Sequence, residues 1–258
     1  MEKIWETGKR QLALDVLIKC EGICRFRVTA SDIQKNTKYA NREIEVNGSR
    51  NIYISFPTSP EQIKIVVSPI ANSKDFLVNI KEKTLKTYQI YLDSEAKKFV
   101  KFAQVFSAKS GFSPASPKGR FFRTEDGYFN IRYYPIIIDQ GKPSTSPARI
   151  GHKTGIIDVS KLHFDRYTIA MRMCILLHEF SHKYRNPKID LEISNEVGAD
   201  LNCLYIYLGL GYSKVDAIFV YANVFLKAQS DSNMLRMRKI MDYIKRFEDQ
   251  EFAKILTE

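Results

Sequence analysis

The feature that most constrains this chain is a change of hydrophobic period at Asp93-Ser94. Before it, apolar residues recur at every second position: Leu12/Leu14/Val16/Ile18, Cys24/Phe26/Val28, Ile44/Val46, Ile52/Ile54/Phe56, Ile63/Ile65/Val67, Phe76/Val78/Ile80 and Tyr88/Ile90. Successive side chains of a strand point to opposite faces, so each run buries one face and exposes the other. The pattern predicts about seven short strands. Turn formers separate them: Asn47-Gly48 reads as a tight hairpin, and Pro57 to Pro60 and Ala71-Asn72-Ser73 read as loops. Short, evenly spaced strands of this kind point to an antiparallel β-sandwich over residues 1–93.

After the boundary the spacing becomes helical. Ala96, Phe99, Phe102, Ala103 and Phe106 form one face behind Ser94 as N-cap. A Pro/Ser/Gly loop over 111–119 leads to strands at 121–124 and 128–138 around Asp126-Gly127; a second loop covers 141–148, and 154–160 reads as one more strand. From residue 165 the pattern is helical throughout. The first helix should run over 165–184 and stop before Pro187, and the second should start at Ser194 or Asn195 and end at Gly209/Gly211. Ser213 with Asp216 resembles a capping box for the third, and Met234, Met237, Ile240, Met241 and Ile244 form the expected buried stripe of the fourth. The chain therefore reads as α+β, with one domain over 1–93 and a second over 94–258.

Composition closes off several classes. The 44% hydrophobic and 27% charged fractions are those of a globular chain, which argues against wholesale disorder. No apolar run approaches ~18 residues, and the N-terminus lacks an apolar signal region, so neither a membrane span nor secretion by a cleaved signal peptide is expected. Cys20, Cys24, Cys174 and Cys203 are too few for a disulfide framework, and the Cys20/Cys24 pair has no second pair with which to bind metal. They read as free thiols in a reducing compartment. The net charge of +11 is spread, with 15 Lys/Arg against 11 Asp/Glu before residue 94 and 25 against 18 after it. The clusters Lys97/Lys98/Lys101 and Arg236/Arg238/Lys239 read as solvated helical faces; without a recognition motif, nucleic acid is not an expected partner.

Two of the four histidines fall in His178-Glu179-Phe180-Ser181-His182, an HExxH pattern. Helical positions four apart share a face, with Cβ atoms about 5–6 Å apart, so both imidazoles can reach one ion while Glu179 sits beside them. A catalytic zinc needs a third protein ligand and an open position for water. Glu196, 14 residues after His182 and at the start of the next helix, is placed to supply that ligand. Asp200 lies one turn further on the same face, where a carboxylate can accept the outer N–H of a ligating imidazole. Gly198 and Ala199 between them are small, as two closely crossing helices require.

HExxH followed by a helix bearing Glu-x-x-x-Asp resembles the gluzincin group of zincin metallopeptidases over about residues 94–258. The resemblance implies a zincin-like metallopeptidase domain of small sheet plus helices, one Zn2+ on His178, His182 and Glu196, and Glu179 as general base. It also implies an edge strand that holds an extended peptide or protein substrate. By position, that strand would include Gly155, Ile156, Ile157 and Asp158. The family adds a His, Tyr or Arg that stabilises the oxyanion, for which Tyr205, Tyr212 and His152 are candidates. More narrowly, Leu177-His-Glu-Phe-Ser-His-Lys-Tyr, Asn195-Glu-Val-Gly-Ala-Asp-Leu-Asn and Tyr207-Leu-Gly-Leu-Gly-Tyr-Ser resemble zincin-like virion proteins of crAss-like tailed bacteriophages. That resemblance implies a place in the host cytoplasm or the virion, with the N-terminal module attached to phage structural proteins. It also leaves open a structural ring or tail component that keeps the fold without the activity.

Overall fold

The computed structural model describes residues 1–71, 75–184, 186, 195–228 and 230–248. The chain divides into two compact units: Met1–Thr87 with Gly211–Ser213, and Tyr88–Leu210 with Lys214–Glu258. Among the described residues, no helix is long and apolar enough to cross a membrane.

The first unit is a single antiparallel sheet of five strands: β1 (Glu2–Glu6), β2 (Leu12–Asp32), β3 (Lys38–Phe56), β4 (Gln62–Ala71) and β5 (Phe76–Lys83). β2 and β3 pair from Leu12↔Phe56 to Ser31↔Lys38. On the other side of β2, β5 covers Ala13 to Cys20 and β4 covers Arg25 to Asp32, with β1 outside β4. The sheet folds back on itself. Tyr39 and Phe56 stand near opposite ends of β3, roughly 55 Å apart along a straight strand, yet their ring centroids are 6.1 Å apart.

The bend lies where the β2/β3 register shifts between Lys19 and Ile23, with Gly22 and Gly48 both at positive φ, a conformation that L side chains resist. Both halves turn one face inward: Leu12, Leu14, Val16 and Ile18 from one, Phe26, Val28 and Ala30 from the other. The sandwich-like core is thus made by one continuous sheet, and the expected seven strands are five. Asn47-Gly48 does not reverse the chain as a hairpin would; β3 runs through it, and Asn47 pairs with Ile23.

In the second unit, the segment read as a last strand, Tyr88 to Tyr91, forms no strand. It lies against α4 (Asn195–Gly209): the Tyr88 amide donates to Gly209 O (3.0 Å) and the Tyr91 amide to Tyr205 Oη (2.6 Å). Ile90 fills the space that a Cβ on Gly209 would occupy. A fragment starting at Tyr88 should accordingly be more stable than one starting at Ser94, by at least about 2 kcal/mol for the lost apolar contacts. Urea midpoints of the two fragments provide the measurement.

α1 (Ser94–Ser110) starts one residue earlier than expected. Asp93, not Ser94, is the N-cap, and its Oδ1 accepts from the Ala96 amide at 2.8 Å. Next come β6 (Arg120–Arg123), β7 (Asn130–Tyr134), a two-stranded ribbon of β8 (Ile138–Asp139) and β9 (Lys142–Pro143), then β10 (Ala148–Ile150) and β11 (Ile157–Ser160). Four of these form a sheet in the order β10-β11-β7-β6, with β11 parallel to β7 and the other pairs antiparallel. The short helix α2 (Lys161–Phe164) leads to α3 (Ile169–Ser181); α4 is followed by α5 (Lys214–Val220), a π-helical turn (Tyr221–Phe225) and α6 (Asp231–Glu248). Phe106 of α1 packs edge-on against Tyr133 of β7 (5.4 Å), and Phe99 stacks on Phe180 of α3 (4.1 Å), so both helices bury their apolar faces in one core.

Two expectations about this unit are corrected. The strand at Gly155, Ile156, Ile157 and Asp158 is not an edge. Ile157 and Asp158 belong to β11, which lies between β10 and β7 and is buried along its whole length, while Gly155 and Ile156 belong to the turn before it. Gly155 closes that turn, donating to Gly151 O (2.8 Å) at φ +69°, so the three residues of β10 become the edge. In α6 the buried face is Ile240, Tyr243, Ile244 and Phe247, whereas Met234 and Met241 are exposed. Ile240 and Ile244 of the expected stripe are therefore buried, while Met234 and Met241 give way to Tyr243 and Phe247.

Candidate metal centre

α3 is capped by Thr168, whose Oγ1 accepts from the Met171 amide (3.3 Å), and every one of its residues is buried. Its interior polar group is Arg172, which donates to Phe164 O (2.9 Å), Ser107 O (3.0 Å) and Ser110 Oγ (3.2 Å). Burial lowers the pKa of that guanidinium. A helix sealed on all sides is a rigid platform for the groups at its C-terminal end.

There α3 presents His178 and Glu179. Helix α3 was expected to reach residue 184 but ends at Ser181; His182, the next residue, still has helical dihedrals (φ −67°, ψ −24°), so the four-residue spacing keeps its geometry. The two Nε2 atoms are 3.2 Å apart. Glu196, in the first turn of α4, brings its two carboxylate oxygens to 3.9 Å from His178 Nε2 and 3.9 Å from His182 Nε2. One ligand atom from each of the three residues falls within 4.8 Å of the others, and together they could hold a metal ion.

The supporting contacts fix these side chains. Asp200 Oδ1 lies 3.1 Å from His178 Nδ1, off the best hydrogen-bond line, which turns Nε2 toward His182 and Glu196. Phe225, in the π-helical turn, covers the His178 ring at 4.0 Å. Asn202 Nδ2 donates to Ser181 Oγ (2.8 Å) and Tyr184 O (3.1 Å), while its Oδ1 accepts from the Asn186 amide (3.3 Å). A single α4 side chain therefore ties the Ser181 hydroxyl to the backbone that follows His182.

Electrostatics separate the roles. Burial raises the pKa of Glu179 against the opposing pull of His178 and of the Ile150 amide on β10, whose N–H points to its carboxylate. Burial also opposes the charged form of His178, but Asp200 and the Glu179 charge together outweigh it and the pKa rises. His182 moves down, from burial and the neighbouring His178. Neutral His182 is the form that offers a lone pair.

Arg236 of α6 was read as part of a solvated basic face, and this is corrected. Its side chain is only 12% exposed and forks onto Asp200 (2.8 and 2.9 Å), with a further contact to Glu196 Oε2 at 3.0 Å. No local signal could have found it, since 40 residues separate it from Glu196. Asp200 is 1% exposed, so Arg236→Met should strand a buried charge and cost about 3–5 kcal/mol in a denaturation experiment. Arg236→Lys should recover only part of it, because an ammonium cannot reproduce the fork.

The oxyanion candidates separate as well. Tyr205 Oη is engaged by the Tyr91 amide. Tyr212 belongs to the first unit. His152, exposed in the turn after β10, lies close enough for its charge to favour ionised Glu179. Cys20, Cys24, Cys174 and Cys203 form no disulfide, with Cys174 and Cys203 Sγ atoms 4.0 Å apart between α3 and α4. Residues 187–194, which include Pro187 and Ser194, lie outside the described residues. Comparison of the chain with protein-family models, with curated proteins and with solved structures finds no match, so the functional reading rests on this geometry.

Proposed function

We propose that the chain is a zinc-dependent peptidase acting on extended peptide segments. The observation that carries this reading is the convergence of His178, His182 and Glu196 beside a buried carboxylate, Glu179, that takes no part in the ligand set. In a tetrahedral site with Zn–N bonds of 2.0–2.1 Å, neighbouring ligand atoms are about 3.3 Å apart, and the two Nε2 atoms are 3.2 Å apart. Two imidazoles and a carboxylate suit zinc and leave one position for water. Bound zinc would lower the pKa of that water to about 7 and polarise a scissile carbonyl.

The chain's own residues supply the rest. Glu179 Oε takes the proton of the attacking water and passes it to the leaving amine, a task suited to a carboxylate whose pKa burial has raised. Asp200 holds His178 in the tautomer that presents Nε2, and Arg236 balances the two carboxylates behind the centre. β10, an edge strand beside Glu179, has an unpaired side on which a peptide can add as a further strand.

Digestion of a proteome-derived peptide library tests the reading. Cleavage should appear with zinc, vanish with a chelator and return when zinc is restored. A zinc-loaded chain that cuts nothing in such a library would reject it in favour of a virion scaffold that keeps the metal centre only as structure.

A further inference from the structure

We infer that the cavity beside β10 is a side-chain subsite that takes an aromatic residue lying N-terminal to the bond to be cut; the inference rests on the peptidase reading above. The cavity holds about 260 Å³ and opens between the start of α1, the β6–β7 turn, the β10–β11 turn and the end of α3. Its floor is aromatic. Phe99 and Phe180 stack at 4.1 Å, and Phe129 stands edge-on to both, at 5.1 and 5.9 Å. Ile150 and Ile157 form a wall, and Tyr128, 63% exposed, stands at the mouth. A guest ring meets both faces and edges of other rings, the arrangements that aromatic pairs favour.

Two features tie the cavity to the proposed chemistry. Ile150 lines it and its amide points to Glu179, and Phe180, another lining residue, directly follows Glu179. A peptide adding antiparallel to β10 runs opposite in direction, so the residues passing the C-terminal end of β10 precede the bond held at Glu179. Those residues pass Ile150, Thr154 and Gly155, which border the cavity. At the mouth, Glu95 and Lys183 place one charge of each sign, so apolar contact rather than net charge selects the guest.

The experiment uses the full zinc-loaded chain carrying Glu179→Gln, with fluorescein-labelled heptapeptides that differ only in Phe or Ala at one position. Phe peptides should bind about tenfold tighter, the size expected for partial burial of one ring. Thr154→Trp, which fills the mouth from an exposed turn position, should erase the preference while zinc content stays unchanged, and Thr154→Val, which loses only the hydroxyl that accepts from the Ile156 amide, should keep it. In parallel, wild-type digestion should show aromatic residues enriched within three positions N-terminal to the cuts. Equal binding of Phe and Ala peptides, or a preference that survives Thr154→Trp, would overturn the subsite. Cleavage without aromatic enrichment would also overturn it and leave the peptidase standing. A Phe preference erased by Thr154→Trp in a chain that cuts nothing would keep the subsite and remove the peptidase.

Discussion

Glu179→Gln should keep the zinc and the fold but lower peptide hydrolysis by at least about a hundredfold, since a general base contributes 10²–10⁴ in rate. The structure makes this a clean experiment. Glu179 is 7% exposed and forms no part of the ligand set, so an amide of nearly the same shape can occupy its place. The Ile150 amide can still donate to the Gln carbonyl oxygen, so the local packing has no reason to change. What is lost is the ability to accept a proton. Zinc content by elemental analysis, paired with initial rates on one cleaved peptide, separates that loss from loss of metal. Wild-type activity should also fall as pH drops through a value above the ordinary carboxylate range, because protonated Glu179 cannot act as base and burial raises its pKa.

The second large effect is removal of the metal. His182→Ala should bring the zinc stoichiometry from about one to near zero and abolish hydrolysis, because one imidazole and one half-exposed carboxylate do not hold the ion. Asp200→Asn provides the graded comparison: it leaves all three ligands in place and should weaken metal binding by about 10–100-fold. Metal competition against a chromophoric chelator resolves the two. Stoichiometric zinc in a chain lacking both His178 and Glu196 would place the ion elsewhere, with Cys20 and Cys24 the first place to look.

What the sequence shows about this centre is what helical spacing can encode. His178 and His182 share a face because they are four apart, and Glu196 and Asp200 share another for the same reason. The crossing that joins the faces was legible only through the small residues Gly198 and Ala199. Arg236 was hidden, since a guanidinium in a basic helix looks solvated until the partner carboxylates are seen. β10 was hidden for a different reason. Three residues are too few to show an alternating pattern, and its role as an edge depends on which strand β11 pairs with, a non-local choice.

In the first unit the alternation was read correctly, but strand count was not. A glycine at positive φ marks a reversal in a hairpin and a fold in a long strand, and Gly48 does the second. In α6 the expected Ile240 and Ile244 are buried, but methionine tolerates exposure, and Tyr243 and Phe247 complete the face in place of Met234 and Met241.

The contact between Arg236 and the two carboxylates also sets an order of events during synthesis. At about 5–20 residues per second, the 40 residues from Glu196 to Arg236 take a ribosome roughly 2–8 s. During that interval Glu196 and Asp200 lack their counter-charge, and the carboxylate pair resists being brought together against His178. The nascent chain therefore passes its glutamate and both histidines through the exit tunnel before it can close the centre around them. A truncated product ending before α6 would carry the whole HExxH sequence without the guanidinium that neutralises Asp200 and Glu196.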